Sequence, residues 1–279
     1  MLDEIVVFAP AKINLGLKVL DKREDGFHNI ETIFLPVPSL TDILEIADSY
    51  ILDGEFGRGV VRCGKVQFKQ TGIEAGDPAN NLCVKAYNII DEAMSGELPP
   101  VYMHLHKQIP VGAGLGGGSA DASFALKALN SMYRCRLSKK RLKELSLSIG
   151  SDCPFFIDNV PMLGRGRGEL LTPIDFKLPG GYHIEFLFPP VFVSTADAYR
   201  GITPRDKRLV APVDKQPLHE LLKAPVAEWK NLIFNDFEQT VFAKYPTLAE
   251  YKQSLYNRGA VYASMSGSGS SMFGIFPQG

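Results

Sequence analysis

The sequence predicts an α+β protein, and three observations carry that prediction. A strand-like run at residues 102–107 leads through a glycine cluster into a helix-forming run that reaches residue 130. Beyond residue 159 short strand and helix patterns are mixed, which suggests a second, smaller α+β domain. The length of 279 residues suits two domains of ordinary size or one large one, and a hydrophobic content of 45% supplies real cores. The change of texture puts the boundary near residue 158, giving segments 1–158 and 159–279.

In chain order, residues 5–8 read as a buried strand. After Pro10 the chain alternates. Lys12, Asn14, Gly16 and Lys18 face one way, and Ile13, Leu15, Leu17 and Val19 face the other. That pattern predicts a half-buried strand with Lys12 and Asn14 on one side; a merely solvated strand face explains it equally well. Residues 21–26 form a charged turn and 27–35 a returning strand, with Phe27 and His28 at the lip of the turn. Residues 42–46 and 66–70 are short strand candidates, with a turn-rich loop at 54–64 between them. Asn80 and Asn81 can cap a helix running through Met94, with Leu82, Ala86, Ile89, Ile90 and Ala93 on its apolar face. In the strand at 102–107, Met103 and Leu105 alternate with His104 and His106. Ala120, Ala122, Ala125 and Ala128 crowd the next helix, so it can pack closely on a sheet.

Ser138 caps a further helix, with Leu142, Leu145 and Ile149 inward, that stops at Gly150. Asp152 is expected just past that helix C-terminus. A carboxylate gains nothing from the negative end of a helix dipole. It is therefore a plain turn residue, or it answers to a nearby Lys or a catalytic task. The second segment opens with a basic glycine loop at 164–169, whose arginines either meet anionic groups or are solvated. A strand at 183–188, a short helix at 194–200 and a charged loop at 203–216 follow. Helices at 235–243 and 247–257 come next, the second closed near Gly259. A strand at 260–265 runs into the Ser/Gly loop 266–271, and a last strand covers 272–276.

Thirty basic residues against 31 acidic ones leave a net charge of −1, which argues against a nucleic-acid or polybasic membrane surface. No apolar run approaches membrane-spanning length, and the first ten residues lack the basic start of a signal peptide. The four cysteines, Cys63, Cys83, Cys135 and Cys153, form no Cys-x-x-Cys pair. They read as thiols of a reducing cytosol rather than zinc ligands or disulfides.

The chemistry concentrates at 110–130. Gly112, Gly114, Gly116, Gly117 and Gly118 put five glycines in seven residues. Without Cβ atoms such a loop can turn its N–H groups inward and let an anion approach. Ser119 is expected where the helix begins, and a helix N-terminus offers unpaired N–H groups and partial positive charge. Loop and helix start together make a phosphate site. Gly112-x-Gly114-x-x-Gly117 matches the dinucleotide fingerprint only formally, because no acidic residue closes a second strand about twenty residues on. No Gly-Lys-Ser/Thr follows, so the P-loop pattern fails as well.

What remains resembles the second motif of the GHMP kinase superfamily, filled by Pro110, Gly114, Leu115, Gly116, Gly118, Ser119 and Ala122. Residues 10–15 (PAKINL) resemble the first motif of that family and residues 264–271 (SMSGSGSS) the third. Asp25-Gly-Phe-His28, Gly117-Gly-Ser119-Ala-Asp and Gly150-Ser-Asp152-Cys-Pro-Phe-Phe narrow the likeness to the isoprenoid-precursor branch. The resemblance runs from residue 5 to 276, and the stretch 201–229 carries little of it.

The resemblance implies a two-domain α+β GHMP kinase fold, with an N-terminal domain like ribosomal protein S5 domain 2 and a ferredoxin-like C-terminal domain. It implies ATP-dependent phosphorylation of the 2-hydroxyl of the small molecule CDP-methylerythritol in the bacterial cytoplasm, by a monomer or weak homodimer, with no nucleic acid or membrane as partner. Mg2+ would be carried in with ATP, and the motif assigns it no acidic ligand. By motif match, Lys12 and Asp152 take the catalytic positions. Asn81, Lys107, Pro110, Val111, Gly112, Ala113, Gly114, Leu115, Gly116, Gly117, Gly118, Ser119 and Ala120 fall on the ATP side. Asn14, Phe27, His28, Asp152, Tyr199 and Gly267 fall on the substrate side, with Phe27 and Tyr199 expected to stack on the cytosine and His28 to read its edge. Phe27 stands where Tyr is frequent, and Ser123 where a second Ala is frequent. A homoserine or mevalonate kinase is the rival within the superfamily, disfavoured by Asp25-Gly-Phe-His28 and the surroundings of Asp152. A non-catalytic relative is the rival outside it, disfavoured by intact Lys12 and Asp152.

Overall fold

The computed structural model describes residues 4–49, 59–208 and 211–278. Of the expected turn-rich loop 54–64, residues 54–58 lie outside the described residues, as do 209–210 of the charged loop 203–216. Two long strands open the chain, β1 (Glu4–Lys22) and β2 (His28–Asp48), and they pair with each other. Periodicity had divided each in two. Pro10 of β1 and Pro36 and Pro38 of β2 are accommodated within the strands; proline is excluded only where its missing N–H is needed for the ladder. The chain groups into two compact units. The first comprises Met1–Ala11, Val37–Val111 and Gly116–Asn159; the second comprises Lys12–Pro36, Gly112–Leu115 and Val160–Gly279.

In the first unit β3 (Val60–Cys63) and β4 (Val66–Gly72) form a hairpin. Helix α1 (Leu82–Ala93) follows, with the Asn81 side chain accepting the Cys83 N–H as expected of a cap. Strand β5 (Val101–Lys107) lies parallel to β4, with Val66 opposite Val101. It lies antiparallel to the later part of β2, with Ile43 opposite His106. Helices α2 (Gly117–Met132), α3 (Lys139–Leu147) and α4 (Cys153–Asp158) complete the unit. One sheet face carries Leu44, Ile46, Val66, Phe68, Met103 and Leu105, which are buried in a common core with the alanine stripe of α2 and with Cys83, Val84, Ala86, Tyr87 and Ile90 of α1. His104 and His106 take the opposite, half-buried face, as the alternation of β5 predicts.

In the second unit the early part of β2 pairs with β6 (Met162–Arg165), which turns back into β7 (Leu170–Pro173). The basic glycine loop is thus the tip of a hairpin, and the exposed Arg165 is bound to the buried Glu31 at 3.0 Å. Strand β8 (Tyr182–Leu187) follows, and then α5 (Thr195–Tyr199), capped by Ser194. After α6 (Leu218–Leu221), α7 (Phe237–Lys244) and α8 (Pro246–Asn257) come β9 (Tyr262–Met265) and β10 (Met272–Pro277). The last sheet is antiparallel in the order β8-β10-β9. Its core joins Phe237, Val241, Leu248 and Leu255 of the helices to Ala263, Met265 and Met272. The four cysteines are free, and no helix among the described residues is long and apolar enough to cross a membrane.

Candidate active site

Three glycine- and lysine-bearing motifs, far apart in the chain, meet inside the second unit. The Lys12 N–H donates to Leu115 O at 2.9 Å, which ties β1 to the glycine loop. Asn14 N–H donates to Ser266 Oγ at 3.3 Å, and that hydroxyl donates to Gly114 O at 2.9 Å. The Ser271 N–H donates to Ala113 O at 3.1 Å. The approach is too close for any side chain. A Cβ on Gly114, whose φ is +80°, would stand 2.1 Å from Ser266 O, and a Cβ on Gly267 would stand 3.2 Å from Asn14 Oδ1. Asn235 braces the far loop by donating to Met265 O and Gly267 O, both at 2.8 Å. Asn235 was not among the expected site residues; its only signal in the sequence is a polar residue ahead of a helix.

Lys12 and Asn14 share one strand face, as alternation predicts, but that face is buried rather than solvated. Burial requires partners. Lys12 Nζ donates to Asn14 Oδ1 at 2.6 Å and lies 5.2 Å from the centre of the Phe34 ring. Asn14 Nδ2 donates to Thr32 Oγ1 at 2.9 Å, and Thr32 donates to Gly16 O at 2.6 Å. The lysine is thereby held at a defined place at the head of a hydrogen-bonded chain.

The aromatic group of this unit is arranged differently from the expectation. His28, not Phe27, stacks on Tyr199, with ring centres 5.0 Å apart and planes 15° from parallel. Strand β2 begins at His28, and it is this ring that turns toward Tyr199. Phe27 is exposed and carries the Arg167 guanidinium 5.0 Å from its ring centre. Tyr199 rests edge-on against Phe237. Burial, aided by Lys22 and opposed by Asp21, holds the His28 pKa below its ordinary value, so the neutral ring keeps one donor and one acceptor nitrogen. Phe192, another residue absent from the expected set, lies over Gly112, where an added Cβ would come within 3.0 Å of its ring. Its signal is an exposed aromatic in a Pro-flanked loop.

In the first unit, Gly116 adopts the left-handed conformation and α2 starts at Gly117. The helix thus begins two residues before the expected Ser119, and the first N–H groups belong to Gly117, Gly118 and Ser119 themselves. Pro110 and Val111 precede the loop, and Ala120 closes the first turn through its N–H to Gly116 O. Lys107 is buried beneath this turn: a Cβ on Gly117 would lie 3.1 Å from its Nζ. Its ammonium donates to Asp42 at 2.5 Å and to Asp121 at 2.8 Å. Burial works against the charge on Lys107, but the two carboxylates outweigh it and hold the pKa above the ordinary value. Asn81 spends its side-chain oxygen on capping α1.

Asp152 follows the end of α3, as its sequence context implied, and it also directly precedes α4, a short helix that Cys153 and Pro154 open. The head of a helix is the favourable end for a carboxylate, although the Asp152 side chain makes no capping hydrogen bond there. Pro154 in the first turn was the local signal for that start. Ser123 helps fix this point, since its hydroxyl lies 2.8 Å from Cys153 O and 2.7 Å from Ser119 O. Cys153 itself is a buried thiol pushed up to about 11 by burial, with hydrogen bonds to Ser119 and Ser123 pulling the other way. It stays protonated and unreactive.

The comparisons with known proteins agree with one another. The family model for the GHMP kinases N terminal domain matches residues 81–162, and the one for GHMP kinases C terminal matches 218–279. The 4-diphosphocytidyl-2-C-methyl-D-erythritol kinase of Bacteroides fragilis is 46% identical over 273 residues, covering 98% of this chain and 92% of that protein. The protein of the same name from Bacteroides thetaiotaomicron is 45% identical over 277 residues, covering 99% and 93%. A crystal structure of 4-(cytidine 5'-diphospho)-2C-methyl-D-erythritol kinase superposes with a TM-score of 0.75 at 33% identity, covering 97% of this chain and 89% of that one. The expected α+β GHMP kinase fold is borne out. The chain belongs to the GHMP kinase family and, within it, to the 4-diphosphocytidyl-2-C-methyl-D-erythritol kinases.

Proposed function

We propose that this chain phosphorylates the 2-hydroxyl of 4-(cytidine 5'-diphospho)-2-C-methyl-D-erythritol with ATP, giving the 2-phosphate and ADP in the non-mevalonate (MEP) route to isoprenoid precursors. The single observation that carries the reading is near-full-length identity of 46% to a protein of that name. The meeting of residues 12–14, 113–115 and 266–271 supports it from the geometry.

Phosphoryl transfer asks a protein for position and charge neutralisation more than for covalent chemistry. The glycine loop and the start of α2 have the donor set that suits polyphosphate: backbone N–H groups with no Cβ in the way. Residues 110–120 receive the ATP phosphates in this reading, and Asn81 lies on the nucleotide side. Lys107 acts there from beneath the loop, through its carboxylate partners. Asp152 accepts the proton of the attacking hydroxyl, and Lys12 stabilises the alkoxide as it forms. Asn14 and Gly267 shape the acceptor side. Phe27, His28 and Tyr199 hold the cytidine. Among the described residues no three His, Cys, Asp or Glu side chains are grouped to hold a metal ion; Mg2+ fits as an ion brought in on the phosphates, where it neutralises their charge.

Residues 1–158 form the ATP-binding part in this reading and 159–279 the second domain, which the two family-model matches support. The protein works in the bacterial cytoplasm as a monomer or weak homodimer. The test is ADP release with CDP-methylerythritol beside homoserine and mevalonate. Release with the first alone is expected. Folded, ATP-binding protein that releases none with it overturns the assignment.

A further inference from the structure

We propose that Asp42, Lys107 and Asp121 form a buried brace under the first turn of α2, and that Asp121 is a positioning residue whose proton sets the charge of that brace and thereby the affinity of that helix start for nucleotide phosphate. The proposal rests on the reading of the loop as the ATP phosphate site.

The geometry is specific. Asp42 is completely buried and gathers three donors. Lys107 Nζ reaches one oxygen, and the N–H groups of Gln108 and Ile109 reach the other at 2.6 and 2.9 Å. It therefore pins the three residues that lead out of β5. Asp121, on the second turn of α2 and only 2% exposed, takes Lys107 Nζ on one oxygen. Its other oxygen, Oδ1, is buried with no hydrogen-bond partner. Two carboxylates facing one ammonium leave a net negative charge in the buried cluster. An unpaired buried carboxylate oxygen is costly. A proton on Oδ1 removes the net charge, lowers the cost of leaving that oxygen unpaired, and leaves a neutral pair beside a neutral acid. The charged and titratable groups facing Asp121 are Asp42 from β2, Lys107 from β5 and Cys83 from α1. Cys153 of α4 turns instead to Ser119 and Ser123. Burial first, and then Asp42, raise the Asp121 carboxyl to about 8 against the pull of Lys107, while burial keeps the Cys83 thiol protonated.

While Asp121 keeps its proton the brace is neutral. Once it ionises, a negative charge stands beneath the start of α2 at Gly117 and opposes a phosphate there. One unit charge at about 10 Å, through an effective dielectric constant of about 20, amounts to roughly a tenfold change in affinity.

The experiment compares wild type with Asp121→Asn, which keeps the shape and cannot ionise. Infrared spectra of the protein without nucleotide should contain a protonated-carboxyl band that fades as the pH is raised through 8 and is missing from D121N. Calorimetric titration with ATP should show wild-type affinity falling roughly tenfold across that range and D121N staying flat; the titration of ATP itself is common to both. A band that persists unchanged in D121N overturns the assignment of the proton to Asp121. A pH dependence of ATP affinity that survives D121N overturns the coupling. Failure to bind ATP at any pH counts against the phosphate-site reading, and the band, which needs no nucleotide, still decides the proton.

Discussion

Asn14 and Ser266 are 252 residues apart, yet the Asn14 N–H donates to the Ser266 hydroxyl and that hydroxyl donates to Gly114 O. One serine thus joins the first, second and third motifs of the chain. The joint leaves no room for a Cβ at Gly114, which is the physical content of a glycine there.

Gly114→Ala should therefore destabilise the protein. A left-handed backbone costs alanine about 1 kcal/mol, and displacing Ser266 O, 2.1 Å from the new Cβ, adds about 1–3 kcal/mol. Urea unfolding is the measurement. A midpoint equal to wild type would mean that the loop adjusts freely and that the three-motif joint is not rigid.

Asp152→Asn keeps the shape at the start of α4 and removes the proton acceptor. Turnover is expected to fall on the order of a hundredfold to ten-thousandfold with ATP affinity unchanged. Steady-state rates beside an ATP titration check this, and near wild-type turnover would leave Asp152 as a turn residue.

His28 and Tyr199 stack on each other, so the two should act as one platform. Tyr199→Ala should weaken the CDP-substrate by about 1–3 kcal/mol without affecting ATP, and His28→Ala should erode the preference for the cytidine over the uridine analogue. The double variant should lose less than the sum of the singles, because each ring supports the other. Additive losses in a binding cycle would show that the rings act separately.

The His28 pKa is depressed below the ordinary 6.5, so the folded protein holds fewer protons there than the unfolded chain just below that pH. Its contribution to stability is present above 6.5 and is lost as the pH falls through the folded value. His28→Gln should flatten the acid side of the Tm-against-pH curve relative to wild type. An identical slope in both proteins would show that His28 is solvated like a free imidazole.

Much of this protein follows from local rules that a sequence carries openly. Asn81 and Ser138 cap α1 and α3 because a side-chain oxygen two or three residues ahead satisfies a helix N–H wherever the helix lies. The alternation of β5 sorts Met103 and Leu105 from His104 and His106 for the same reason, since a pleat has a period of two. The glycines at 112–118 declare a backbone that something must approach closely. What approaches was decided in three dimensions. Only the tertiary structure brings Ser266 O against Gly114, because no local rule spans 152 residues. It also runs β1 and β2 through their prolines, buries the face of Lys12 and Asn14 where alternation alone left burial and solvation equally open, and turns His28 rather than Phe27 toward Tyr199. Asp42, Lys107 and Asp121 are three ordinary charges in the sequence. They become one buried cluster only when β2, β5 and α2 meet, and burial is what makes their charges interact strongly.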